Sequence, residues 1–431
     1  MPLRSSLTSR RRQRRVREAL EVTAPDLTSG FGPGERLYFL HIHKTAGSTL
    51  ARILETHFGQ GEICPPQVWQ QFLTLPHDEL ARYRLFRGHL LAFSQWLPAR
   101  PWVVTFLRDP VERTLSTYDY IRRNDRHRLH RAAVSMDLEA FLADPDTAGT
   151  VRDLQTRWIL ANAFPCDSLK DMERQLAELG LDPLETARHQ LDSYAFVGLV
   201  ERFEASVQRL MDTLGWPLFD WMTEHAGDRV NVSEGRVRRD ELSPGVLDRI
   251  LELTVLDRAL HEGVLDRFDA AAPVTSRVDR SPFSAEPTEV VDLDFSGPVP
   301  GFGWQMPETH PLTGVGFRWI GPLPEASLFL PLRRERALDL RLTVQKAITP
   351  EVLAGLRLRV DDHDVALQVE GDRDGEPPLV LVGRVPASTG APAGRLRLSV
   401  ESTTSPAALG RAPDRRQLGV AFSRLEIRPA P

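Results

Sequence analysis

Three times before Trp216 the chain passes from a short β-rich apolar stretch through a polar loop into residues at helical spacing, a recurrence that few folds accommodate. The first stretch is Arg36 to Ile42, after which Leu50, Ile53, Leu54 and Phe58 recur on one helical face. The second is "PWVVTFLRDPVERTLSTYDYI", with a buried strand from Val103 to Leu107, Asp109 as N-cap, Pro110 in the first turn, and Val111, Leu115, Tyr118 and Ile121 on one face. The third joins a strand from Tyr194 to Val200 to the periodic set Phe203, Val207, Leu210, Met211 and Leu214. Repeated strand-to-helix units predict a parallel sheet with helices on its faces. Further helices are expected around Leu138 to Leu142 and Val151 to Leu160, and one long helix from Val246 to Phe268.

The pattern then changes. "AAPVTSRVDRSPFSAEPTE" is rich in Pro, Ser and Ala without periodicity, which marks residues 271–288 as a linker. Beyond it, runs such as "SLFLP", "RALDLRLTV", "PLVLVGRV" and "GVAFSRLEI" are short, alternating and bounded by turn residues. They predict an all-β sandwich over residues 289–431. The expected fold class is therefore α/β, a P-loop-like parallel sheet flanked by helices over residues 34–270, followed by the β domain.

Residues 1–33 read as a basic, disordered tail, since seven arginines fall among the first 17 residues. A peripheral contact with an anionic membrane through that tail is the alternative. The net charge of -5 provides no global signature of nucleic-acid binding, so an anion site has to be local. Neither a secretory h-region nor a run of roughly 18 apolar residues is evident, which points to a cytoplasmic chain. Cys64 and Cys166 show neither metal spacing nor a disulfide framework and read as reduced thiols. The sequon at Asn231 matters only to a secreted chain.

Of 54 basic residues only Lys44, Lys170 and Lys346 are lysines, and Lys44 lies in "HIHKTAGST", directly after the first strand. A loop leading from a strand into a helix can aim several backbone N–H groups at one anion, which the helix dipole also favours. Gly47 allows close backbone approach, Thr45, Ser48 and Thr49 offer hydroxyls, and Lys44 adds a mobile point charge. The order is not that of a Walker A loop, whose lysine comes late and follows a glycine. Arg108, ending the second strand, and Ser116, two turns into the next helix, form a second candidate anion site. In open α/β sheets ligands bind beyond the carboxyl ends of the strands, so the two loops suit two phosphate-type groups of one nucleotide. The bland alternative pairs Arg108 with Asp109 or Glu112 and leaves Ser116 an ordinary surface serine.

The pair "FLHIHKTAGSTL" and "VVTFLRDPVERTLSTYDYI" resembles the two nucleotide signatures of sulfotransferases that use phosphoadenosine phosphosulfate (PAPS), in particular the branch of uronyl 2-O-sulfotransferases. The resemblance continues through "RGHL", "DLQTRWIL", "FVGLVERFEASVQRL" and "VNVS", over roughly residues 36–268. It implies that Lys44, Thr45, Ala46, Gly47, Ser48 and Thr49 bind the 5′-phosphosulfate, that Arg108 and Ser116 bind the 3′-phosphate, and that transfer needs no metal. It also implies a catalytic histidine at His89. His43 is the rival base and stands where the family usually has proline; Ser48 stands where it often has threonine; His41 is expected in the core. Arg87, Gln155 and Arg157 lie in family-like stretches but are equally well read as packing residues. "GFGWQMPETHPLTGVGFRWIGP" and "LGRAPDRRQLGVAFSRLEI" resemble an accessory sandwich domain found beside glycosyltransferases of bacterial surface polysaccharides. Trp304 and Trp319 are then either sugar-stacking faces or core residues. Together these features imply PAPS-dependent sulfuryl transfer to a glycan hydroxyl, the alternatives being a nucleotide-dependent kinase and a non-catalytic glycan-binding protein.

Overall fold

Parallel strands must be covered on both faces, which explains why the first and second stretches read as unbroken apolar runs. The computed structural model describes residues 24–28, 30–32, 34–76, 78–91, 97, 100–166, 168–216, 237–270, 287–361, 363–371, 377–388 and 394–431. Strands β1 (Leu37–Leu40), β2 (Leu85–Gly88), β3 (Trp102–Leu107) and β4 (Phe196–Leu199) form one sheet in the order β2-β1-β3-β4, with every neighbouring pair parallel. Spacing alone does not reveal β2, because Arg87 interrupts its short apolar run, yet Arg87 is buried opposite Phe39.

Helix α1 (Gly47–Glu55) follows β1, and α2 (Pro110–Arg123) follows β3. The Asp109 side chain caps α2 by accepting the Glu112 N–H, with Pro110 at the first helical position. After β4 comes α4 (Phe203–Leu214), closed by Gly215 at φ 71°. Helix α3 (Leu154–Ala163) lies between, beginning later than its apolar periodicity suggests.

The long helix expected from Val246 to Phe268 is two helices, α5 (Pro244–Leu253) and α6 (Val255–Ala270). The break has a tertiary cause. Asp153, held at φ 39°, donates its N–H to the Leu253 carbonyl at 3.0 Å and accepts the Leu256 and Asp257 N–H groups at 2.8 and 3.2 Å, capping both new ends. Helices Leu169–Glu178 and Pro183–Asp192 lie outside the strand-to-helix units, each opened by a capping side chain, Ser168 and Asp182.

By internal contacts the chain divides into two units, Met1–Ala51 with Pro66–Asp279 and Arg52–Pro65 with Arg280–Pro431. Within the first, Phe31, counted with the tail on sequence grounds, donates its N–H to the Leu214 carbonyl at 2.9 Å and meets Trp102 and Trp216 edge-on. The arginine cluster of that tail, nearly all of the linker and the Asn231 sequon lie outside the described residues.

The second unit is antiparallel. Strand β5 (Val291–Asp294) pairs with β15 (Val420–Pro429). The larger sheet otherwise runs β12 (Gln368–Val369), β13 (Leu379–Val385), β9 (Leu338–Ala347), β15, β7 (Gly316–Trp319) and β6 (Glu308–Thr309). The smaller runs β11 (His363–Val365), β10 (Arg357–Val360), β14 (Gly394–Ser399) and β8 (Glu325–Leu330). Inward residues of both sheets, among them Leu340, Leu342, Leu396 and Leu398, share one hydrophobic cluster. Trp304 and Trp319 belong to that cluster and are buried, so they are core residues and not open stacking faces. Cys64 and Cys166 are buried free thiols. Among the described residues no helix is long and apolar enough to cross a membrane.

Candidate functional site

The site grows from the carboxyl ends of β1 and β3. Leaving β1, the chain takes positive φ at Lys44 (68°) and Ala46 (58°) with Thr45 between them. Each left-handed non-glycine residue costs about 1–2 kcal/mol, so the loop is strained where a plain turn would use glycine. Alternation of this kind turns successive N–H groups into one concavity that suits an anion. The Thr45 hydroxyl serves the loop itself, donating to the Ile42 carbonyl at 2.9 Å. Ser48 is exposed and Thr49 half-buried in the first turn of α1.

Gly47 has a different task from the one its position suggests. A Cβ there would fall 1.9 Å from the His41 ring, so the glycine makes room for an imidazole. His41 is half-buried and not sealed in the core as expected, stacked on Phe39 at 5.4 Å.

Arg108 comes directly to this loop: its Nη1 donates to the Lys44 carbonyl at 3.2 Å. It also faces Glu112 at 3.7 Å, the pairing of the bland reading, so both contacts exist together. The Arg108 backbone is gripped from α3, where Gln155 Oε1 accepts its N–H and Gln155 Nε2 donates to its carbonyl, each at 2.9 Å. Behind Gln155 lies buried Asp257, which accepts the Gln155 and Thr156 N–H groups at 3.1 and 2.8 Å and the Thr156 hydroxyl at 2.8 Å. Asp257 faces the fully buried Arg113 guanidinium at 4.0 Å. Burial raises the Asp257 carboxyl and lowers Arg113, and each opposes the shift of the other.

Glu112, Ser116 and Tyr120, four residues apart, form one ridge of α2. Arg108 reaches the Glu112 end, and Lys44 Nζ lies 4.5 Å from the Tyr120 ring centre at the other. Half-buried Ser116 sits between the two cations, although the ion pair and the ring contact are made by its neighbours. Tyr120 was missed in sequence; its spacing from Ser116 was the available signal.

Beside the loop three imidazoles meet. His89 follows Gly88, whose φ of 137° and missing Cβ admit the Gln67 carbonyl, and the His89 N–H donates to that carbonyl at 2.7 Å. His89 Nδ1 lies 2.5 Å from the His41 carbonyl. The His43 and His89 rings stack 3.6 Å apart and 9° from parallel, and Trp158 of α3 lies 5.4 and 5.8 Å from them. Burial, then the neighbouring imidazoles and Lys44, hold His41 well below the usual histidine range. His43 is likewise held low by burial, then by His89, Arg113 and Lys44. Burial pushes His89 down to about 4, against its hydrogen bond to the His41 carbonyl. All three are neutral at pH 7, and because a carbonyl only accepts, His89 carries its proton on Nδ1 and offers Nε2 as a base.

Gln155 and Trp158 thus join the site from one face of α3 at i, i+3 spacing. Arg157 turns away, to Glu173 at 2.6 Å and the Gly149 carbonyl at 3.1 Å. Among the described residues no group of three or more His, Cys, Asp or Glu side chains could hold a metal ion; the imidazoles stack instead of converging.

Fold and site together define a mixed α/β protein whose strand ends bring Lys44 and Arg108 to one strained loop next to three imidazoles. No protein-family model matches the chain. No curated protein matches it either. Among solved structures, mouse sulfotransferase SULT7A1 complexed with PAP is 14% identical, covering 59% of this chain and 95% of its own, with a TM-score of 0.29. A family 35 carbohydrate binding module from Clostridium thermocellum is 10% identical over 33% of this chain and 100% of its own, TM-score 0.21. A family 6 carbohydrate-binding module from Clostridium cellulolyticum, in complex with xylose, is 10% identical over 33% and 97%, TM-score 0.20.

Proposed function

We propose that the chain is a PAPS-dependent sulfotransferase that acts on a glycan hydroxyl, with a sandwich-type accessory domain. The observation that carries this reading is the hydrogen bond from Arg108 to the Lys44 carbonyl at 3.2 Å, which brings two strand-end loops into direct contact. A nucleotide with phosphate groups at both ends needs two separated cationic holds. The 44–49 loop, with its alternating φ and helix start, suits the 5′-phosphosulfate; Arg108 and the Ser116 ridge suit the 3′-phosphate.

Sulfuryl transfer, like phosphoryl transfer, has a loose in-line transition state with charge moving to the leaving phosphate oxygen. Lys44 neutralises that oxygen as a movable point charge, which answers why an ammonium is kept in an arginine-rich chain. His89 Nε2 takes the proton of the attacking hydroxyl.

Calorimetry with adenosine 3′,5′-bisphosphate and a transfer assay with radiolabelled PAPS and glycan acceptors test the reading. We expect tight binding of the bisphosphate and labelled glycan. In Lys44→Arg, turnover falls about 100-fold or more while bisphosphate binding persists. Preference for ATP favours a kinase, and binding of glycan without either nucleotide favours a lectin.

A further inference from the structure

The stacked histidines differ in what their nitrogens can do. His89 donates Nδ1–H to the His41 carbonyl, so its Nε2 holds a lone pair. His43 Nδ1 is buried with no hydrogen-bond partner among the described residues. An orphaned buried N–H is rarer than an orphaned acceptor, and an unmade buried hydrogen bond costs about 1–3 kcal/mol. The proton of neutral His43 therefore belongs on Nε2, the nitrogen on the opposite side of its ring. Phenylalanine would stack as flatly without leaving a polar atom unsatisfied, so a polar ring at this position calls for a polar task.

We propose that His43 and His89 work as a stacked pair of neutral imidazoles in opposite tautomers, His89 presenting an acceptor nitrogen to the attacking hydroxyl and His43 a donor N–H to an anionic oxygen of the group being transferred. The pairing rests on the sulfuryl-transfer reading. In the reaction the hydroxyl oxygen bonds to sulfur, its proton passes to His89 Nε2, and the electron pair of the broken sulfur–oxygen bond leaves with the phosphate. His43 keeps its proton throughout. Its ring also holds the His89 plane, with Trp158 alongside both.

Nitrogen-15 NMR of the histidine rings in the full chain at pH 7, assigned with His43→Phe and His89→Phe, tests the tautomers without any substrate. We expect His43 protonated on Nε2 and His89 on Nδ1. In transfer assays His43→Phe, which keeps a flat ring and loses the N–H, lowers kcat at least about tenfold with bisphosphate binding intact, and His43→Gln, which restores an N–H, recovers part of the loss. A His43 protonated on Nδ1, or a His43→Phe enzyme turning over at the parental rate, overturns the proposal. A parental chain that neither binds the bisphosphate nor transfers sulfate retires the sulfotransferase reading instead, and the ring spectrum still decides the tautomeric pair.

Discussion

Both units carry exposed ion pairs, such as Arg188 with Glu185 in the first and Arg424 with Asp292 in the second. Among the described residues, only the parallel-sheet unit seals an ion pair entirely inside, Arg113 with Asp257. In the first, Arg113 and Asp257 form a fully buried ion pair, and the strand ends of β1 and β3 gather three imidazoles and two strained residues. In the second, the cluster between the sheets is apolar, and pairs such as Arg424 with Asp292 and Arg336 with Glu289 lie in solvent. Arg318 and Arg334 are partial exceptions, Arg318 buried but donating to the Phe295 and Gly297 carbonyls at 2.9 and 2.7 Å, and Arg334 buried against Asp361. Buried charge is a poor way to stabilise a domain, because desolvation offsets the attraction. Its concentration beside the strand ends of one sheet is what the proposed chemistry would require.

The contrast is most directly broken at Asp257. Asp257→Ala leaves Arg113 buried without its carboxylate and frees Gln155, and should cost about 3–5 kcal/mol in urea unfolding; a loss under 1 kcal/mol would mean that the pair is solvated. Acid comes next. His89 falls from an unfolded value near 6.5 to about 4, so the unfolded chain binds the extra proton between those values. The stabilisation is complete above pH 6.5 and disappears as the pH falls through about 4, a change of roughly 3 kcal/mol that unfolding curves at pH 7 and 4 will show and His89→Phe will reduce.

Gly47→Ala drives a methyl group into the His41 ring and should cost about 1–3 kcal/mol, read as a lowered Tm together with weaker bisphosphate binding. The smallest effect belongs to the other unit. Arg424 makes two hydrogen bonds to Asp292, at 2.8 and 2.6 Å, but both side chains are about half exposed. Arg424→Ala should change stability by no more than about 1 kcal/mol and leave transfer unaltered; a larger loss would show that the display of charge on this unit is structural after all.

Much of the frame is legible in the chain alone. Strands β1, β3 and β4 announce themselves as apolar runs, and Asp109-Pro110 announces α2. Lys44 and Arg108 could be singled out because each directly follows or ends such a run. β2 was hidden by Arg87, and the break between α5 and α6 by Asp153, a cap about a hundred residues away in the chain. Tyr120 is marked only by its four-residue spacing from Ser116 and Gln155 only by its family-like stretch, and neither mark reveals the partner, Lys44 or Arg108.

Periodicity and punctuation are written in neighbouring residues, so the chain by itself determined that strands alternate with helices, where the first strand ends, and which cation follows it. Which loops meet was decided only in three dimensions. Lys44 reaches Arg108 across 64 residues and His41 reaches His89 across 48, because a parallel sheet brings together strands that a crossover keeps far apart in sequence. Burial, and with it the neutrality of the imidazoles, exists only once those distant segments have closed around them.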